Sequence, residues 1–79
     1  METNKVPYDY KCQLDRLEAS LSSLIAAKAQ VEGAAYYEER HHHDTTEYDA
    51  IVEQIDTSIK AVMGFIGAVT PLADMQDRE

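Results

Sequence analysis

Two heptad-spaced ridges set the limits on what this chain can become. The first runs Tyr10, Leu14, Leu17, Leu21, Leu24, Lys28, Val31, Ala35, in alternating steps of four and three with one charged interruption. The second runs Tyr48, Val52, Ile55, Ile59, Val62, Ile66, Val69 in the same steps, unbroken. Such spacing keeps residues on one face of an α-helix, so each ridge predicts a helix with a single apolar stripe. The second ridge is rich in β-branched residues, but no period-two alternation survives across 53–61, so helical spacing outweighs their β preference. Ala, Leu, Glu and Gln supply helix propensity throughout the first segment, with Gly33 its one weak point.

Local signals give the bounds. Pro7 tolerates a first-turn position and Asp9 can act as an N-cap, which predicts a first helix over 9–40. A tip over 41–45 follows. The second helix is expected over 46–69: Asp44 or a threonine of Asp44-Thr45-Thr46-Glu47 caps its start, and Glu47 has the capping-box spacing from Asp44. Thr70-Pro71 predicts its stop, leaving 70–79 as a polar, frayed tail. Five linking residues suit antiparallel neighbours. Folded there, the ridges meet in order, with Val31 beside Val52, Lys28 beside Ile55, Leu24 beside Ile59 and Leu14 beside Val69, and with Tyr10 projecting past the second helix. The expected fold is therefore all-α, one domain, an antiparallel two-helix hairpin of coiled-coil type. Dimerisation or a partner helix is expected to complete it to a four-helix bundle.

That last expectation comes from size. A chain of 79 residues lies near the lower limit at which one hydrophobic core carries a fold, and two helices share only one seam. Ile25, Ile51, Met63 and Phe65 widen the stripes beyond it. Thr57, Ala61, Gly64 and Ala68 form a row of small residues on the second helix, which serves either packing against the first helix near Ser20 and Ala27 or the approach of another chain. Tyr36 and Tyr37 flank an acidic tip and suit an interface. The candidate partner-binding set is thus Ile25, Tyr36, Tyr37, Ile51, Ala61, Met63, Gly64, Phe65 and Ala68. Burying one Ile or Phe contributes ~1.5–3 kcal/mol, so leaving several exposed wastes much of a small domain's margin. Lys28 is expected to pack its stem along the seam and reach Glu53 or Asp56 with its ammonium, or else to set register.

Charge restricts the partner. The acids and bases of residues 1–30 balance, so the net charge of −8 belongs to residues 31–79, where eleven acids face only Arg40, Lys60 and Arg78. Such a surface repels phosphate backbones and anionic headgroups. Neither nucleic acid nor membrane is expected as a partner, whereas a protein with a basic surface fits. The longest apolar run, 61–69, falls short of the ~20 residues of a bilayer span, and the N-terminal residues show no signal-peptide pattern. With one cysteine, Cys12, no intrachain disulfide forms, and a reducing, cytoplasmic setting is expected.

Chemistry has less to stand on. If the first helix continues through Glu38-Glu39-Arg40-His41-His42-His43-Asp44, then Glu38 and His41, or Glu39 and His42, share a face at the i, i+3 spacing of carboxylate-histidine metal sites. The second helix offers no matching pair, so a surface turn is the favoured reading of Glu38, Glu39, His41, His42 and His43. A metal-responsive or pH-sensitive tip is its rival. Cys12 falls off the seam with no histidine near it in sequence, which suits an inert thiol. No glycine-rich phosphate loop is present, because Gly64 and Gly67 lie inside an apolar helical run. The expectation is a binding protein that needs no cofactor and catalyses nothing.

The leucine-rich first helix (Leu14, Leu17, Leu21) and a second helix opened by Asp44 and Tyr48 and continued by Ala61, Val62 and Phe65 resemble the small helical-hairpin co-chaperones of type III secretion needle subunits. The likeness covers 14–69 in pattern. The chain departs from it in lacking a Gly or Pro turn and in carrying the histidine run. The resemblance implies a hairpin that shields an aggregation-prone helical partner. A small inhibitor encoded by a phage or mobile element, covering a host protein's surface, fits the same length and acidity.

Overall fold

The computed structural model describes residues 9–78, and Pro7 lies outside them. Two helices fill the described chain, α1 (Tyr10–Arg40) and α2 (Thr46–Asp77), and they pack against each other as an all-α antiparallel hairpin. Asp9 caps α1 as its sequence position suggests: its carboxylate accepts the backbone N–H of Lys11 at 3.0 Å and of Cys12 at 3.3 Å, satisfying two donors the first turn leaves open. The molecule is a single layer, with principal extents of 63, 25 and 14 Å.

The seam forms where the two ridges predict it. Every ridge residue on α1, from Tyr10 to Ala35, is half-buried, as are those of α2 up to Ile66. The Lys28 ammonium meets the Asp56 carboxylate at 2.8 Å across the hairpin, which fixes the register beside the expected Lys28–Ile55 rung. That hydrogen bond, helped by the negative charges of Asp56 and Glu32 and opposed by partial loss of hydration, holds the lysine above its ordinary pKa. The charged interruption in the first ridge is thus satisfied from the flank of α2 while its stem stays in the seam.

The second helix does not stop at Thr70-Pro71 but continues to Asp77 with Pro71 inside it. Proline forfeits one hydrogen bond, to the carbonyl four residues back. Here that carbonyl belongs to Gly67, and both residues are on an exposed face. The Thr70 hydroxyl meanwhile donates to the Ile66 carbonyl at 2.7 Å. What the longer helix gains lies on the other side. The seam continues through Ala73 and Gln76, and Val69 and Ala73 are the two buried residues among those described, 6% and 7% exposed. The Gln76 side-chain oxygen accepts the backbone N–H of Tyr10 at 3.0 Å, so the end of α2 helps to cap the start of α1. The expected frayed tail is corrected over 70–77, as is the projecting Tyr10: the open end of the hairpin is closed by residues of α2.

A frayed tail and a closing turn respond differently to one substitution. Ala73→Asp places an unpaired charge in the most protected part of the seam and is expected to lower stability in urea unfolding by about 2 kcal/mol or more. An unchanged midpoint would show that this last turn does not hold the hairpin.

Candidate functional site

The tip is built by a helix-ending motif that usually relies on glycine. The His43 N–H donates to the Glu38 carbonyl at 2.9 Å and the His42 N–H to the Glu39 carbonyl at 2.9 Å, the paired bonds of a Schellman motif. The residue past the cap must then be left-handed, and His42 takes φ 62°. Histidine tolerates that region better than most side chains, yet a Cβ there still costs energy. The Glu38–His41 and Glu39–His42 pairings that a metal site would use are not the ones made. His43 Nδ1 pairs with the Glu38 carboxylate, and His41 Nδ1 lies 2.9 Å from the Tyr37 carbonyl, with its ring against Tyr37. Among the described residues no group of three His, Cys, Asp or Glu side chains converges as a metal would require. Glu39 lies in a groove on one flank of the hairpin, apart from the histidines.

Opposite the turn, the start of α2 is held from one position further out than a capping box places it. Asp44 accepts both the Thr46 N–H at 3.0 Å and the Thr46 hydroxyl at 2.7 Å, while Thr45, the N-cap, makes no capping bond and donates its hydroxyl to the Asp49 carboxylate at 3.5 Å. Those two bonds hold the Asp44 carboxyl below its ordinary pKa of 3.8. Its contribution to stability is therefore fully present above pH 3.8 and is lost as pH falls through the lower folded value.

The apolar candidates lie at the surface. Phe65 is 61% exposed, and Ile25, Tyr36, Tyr37, Ile51 and Met63 are exposed with it. Ala61, Gly64 and Ala68 are exposed too, so the small-residue row is not packed against α1. A methyl group built on Gly64 would meet open space. Leu72 and Met75 belong to the same surface, and the sequence reading missed them by ending α2 early. The signal was available: Phe65, Ala68, Leu72 and Met75 repeat the three-four-three step beside the main seam.

Helical position sorts these residues between two unlike flanks, because in an antiparallel pair the same flank of each helix faces the same side. Ile25, Met63 and Tyr36 fall on a flank dominated by carboxylates. There Glu32, Tyr36, Glu39, Asp49, Glu53 and Asp56 line an open groove of about 480 Å³ between the helices near the tip. Ile51, Ala61, Phe65, Ala68, Leu72 and Met75 fall on the other flank, with Tyr37 at its tip end. Gly64 looks outward from the back of α2. The groove is open to solvent and lined mainly by carboxylates, of which Asp56 holds the Lys28 ammonium and Asp49 the Thr45 hydroxyl. Cys12 is free and exposed. By length and composition alone, α2 is also apolar enough to cross a membrane.

No protein-family model, no curated protein and no solved structure matches the chain.

The left-handed tip residue gives a direct check on the turn. His42→Gly is expected to stabilise the hairpin by about 1 kcal/mol, since glycine takes positive φ without the Cβ clash. A fall in the thermal midpoint would show that the imidazole contributes more than its backbone conformation costs.

Proposed function

We propose that the protein is a non-catalytic protein-binding module, a small acidic hairpin that covers and masks surface on another polypeptide in the manner of a chaperone or adaptor. One observation carries this reading: the described residues bury only Val69 and Ala73, while eight large apolar side chains stay more than 40% exposed. An isolated soluble domain gains nothing by holding so much apolar surface in ordered helices. A chain that meets another gains ~1.5–3 kcal/mol for each such side chain it buries. The acidic groove beside Tyr36 suits a partner segment with a basic face, and charge of one sign along it would speed encounter with such a segment. This reading also accommodates the resemblance to helical-hairpin co-chaperones. Whether the masked surface is an aggregation-prone helix or the working face of a host enzyme depends on which partner is recovered.

The test uses the full chain as bait in a lysate of the cells that make it, with wild type beside Tyr36→Ala/Met63→Ala. A specific partner is expected to be retained by wild type and reduced at least tenfold by the double variant at unchanged helicity, and to be released by raised salt. No partner held by wild type, or equal capture by the variant, would contradict the proposal.

A further inference from the structure

The two flanks of the hairpin differ in one respect that decides what each can meet. On the acidic flank, the positions next to the seam hold Glu18, Glu32 and Glu39 on α1 and Asp49, Asp56 and Asp77 on α2. On the other flank the equivalent positions, from Gln13 to Ala34 on α1 and from Ile51 to Leu72 on α2, hold no charged residue at all. In a coiled coil that faces water, such positions are where Glu and Lys are ordinarily found. Here α1 offers Gln13, Ser20, Ala27 and Ala34, and α2 offers Ile51, Ser58, Phe65 and Leu72. The one hydroxyl of that α1 row is already engaged, because Ser20 donates to the Leu17 carbonyl at 2.8 Å, so burying it strands no donor.

We infer that this uncharged flank is the contact face for a second copy of the same chain, which supplies the second layer the hairpin lacks. The inference rests on the binding-module reading and names the first occupant of its surface. Three features favour a second copy. A two-fold interface has to be self-complementary, and this face carries a bulky row on one helix and a small row on the other, so one copy turned over fits its bulky row onto its partner's small one. The charge of −8 would oppose pairing through the acidic flank, but pairing through the neutral flank turns the carboxylates outward, where salt screens them. The area is sufficient as well. The row from Ile51 to Met75 extends about 36 Å along the helix and the hairpin is 25 Å across, so the face offers roughly 900 Å² per copy, near the ~800 Å² a side of stable interfaces. Domains are built from at least two packed layers, and two such hairpins make a four-helix bundle.

Sedimentation of the reduced full-length chain tests this. Wild type is expected to run as a dimer at tens of micromolar, to hold together as salt is raised, and to melt at higher temperature when more concentrated. Phe65→Glu/Leu72→Glu is expected to weaken the dimer at least a hundredfold while circular dichroism still reports helix. Met63→Glu, on the acidic flank, is expected to leave it dimeric. A wild-type monomer at 100 µM, or a dimer that Met63→Glu disrupts as fully as the double variant, overturns the inference. So does a monomer that floats with zwitterionic lipid vesicles through α2. A monomer that still captures a partner through Tyr36 and Met63 overturns the second copy and leaves the binding module standing. A dimer that captures nothing supports the second copy and removes the module.

Discussion

A seam shared by only two helices covers each of its residues from one direction. That limit governs the molecule. The ridges meet in register, yet from Tyr10 to Ala35 and from Tyr48 to Ile66 every ridge residue keeps part of its surface in water. Among the described residues protection is greatest at Val69 and Ala73, at the open end. Everything proposed for the protein follows from the apolar surface this geometry leaves in water, because a two-helix layer has no third direction from which to cover it.

Hydrogen bonds hold both ends of the hairpin, joined at the open end by the burial of Val69 and Ala73. At the tip, carbonyls of the last turn of α1 receive the backbone of His42 and His43, and Asp44 receives that of Thr46. At the open end Asp9, the N-cap of α1, and Gln76 of α2 satisfy the first turn of α1. Between them Lys28 and Asp56 fix how far one helix slides along the other. Apolar ridges of even spacing do not by themselves forbid a slip by one heptad, and these polar contacts make such a slip costly.

The sequence was most legible where its signal repeats. Both helices, their antiparallel pairing, the five-residue link and the Lys28 contact can be read from spacing, because an error at one position is outvoted by the rest. It was least legible where one residue type was allowed to decide. Pro71 signals a stop, but a proline on the exposed face of a helix forfeits a single bond, and Ala73 and Gln76 outweigh it through the seam. Leu72 and Met75 were lost to the candidate surface for the same reason. The tip lacked a glycine signal because His42 occupies the left-handed position itself. The split between a charged and an uncharged flank becomes visible only once the pairing says which sides of the two helices look the same way.

Because the closed seam is the root of the whole account, the distance across the open end is the most direct test of it. A spin label on the native Cys12 and another on Asp74→Cys, diluted with unlabelled chain, report that distance by pulsed electron resonance. Helices packed 8–10 Å apart place the labels roughly 20 Å from each other. A population beyond roughly 60 Å, as two helices laid end to end would give at 1.5 Å per residue, would contradict the hairpin and with it the surface on which the proposed function depends.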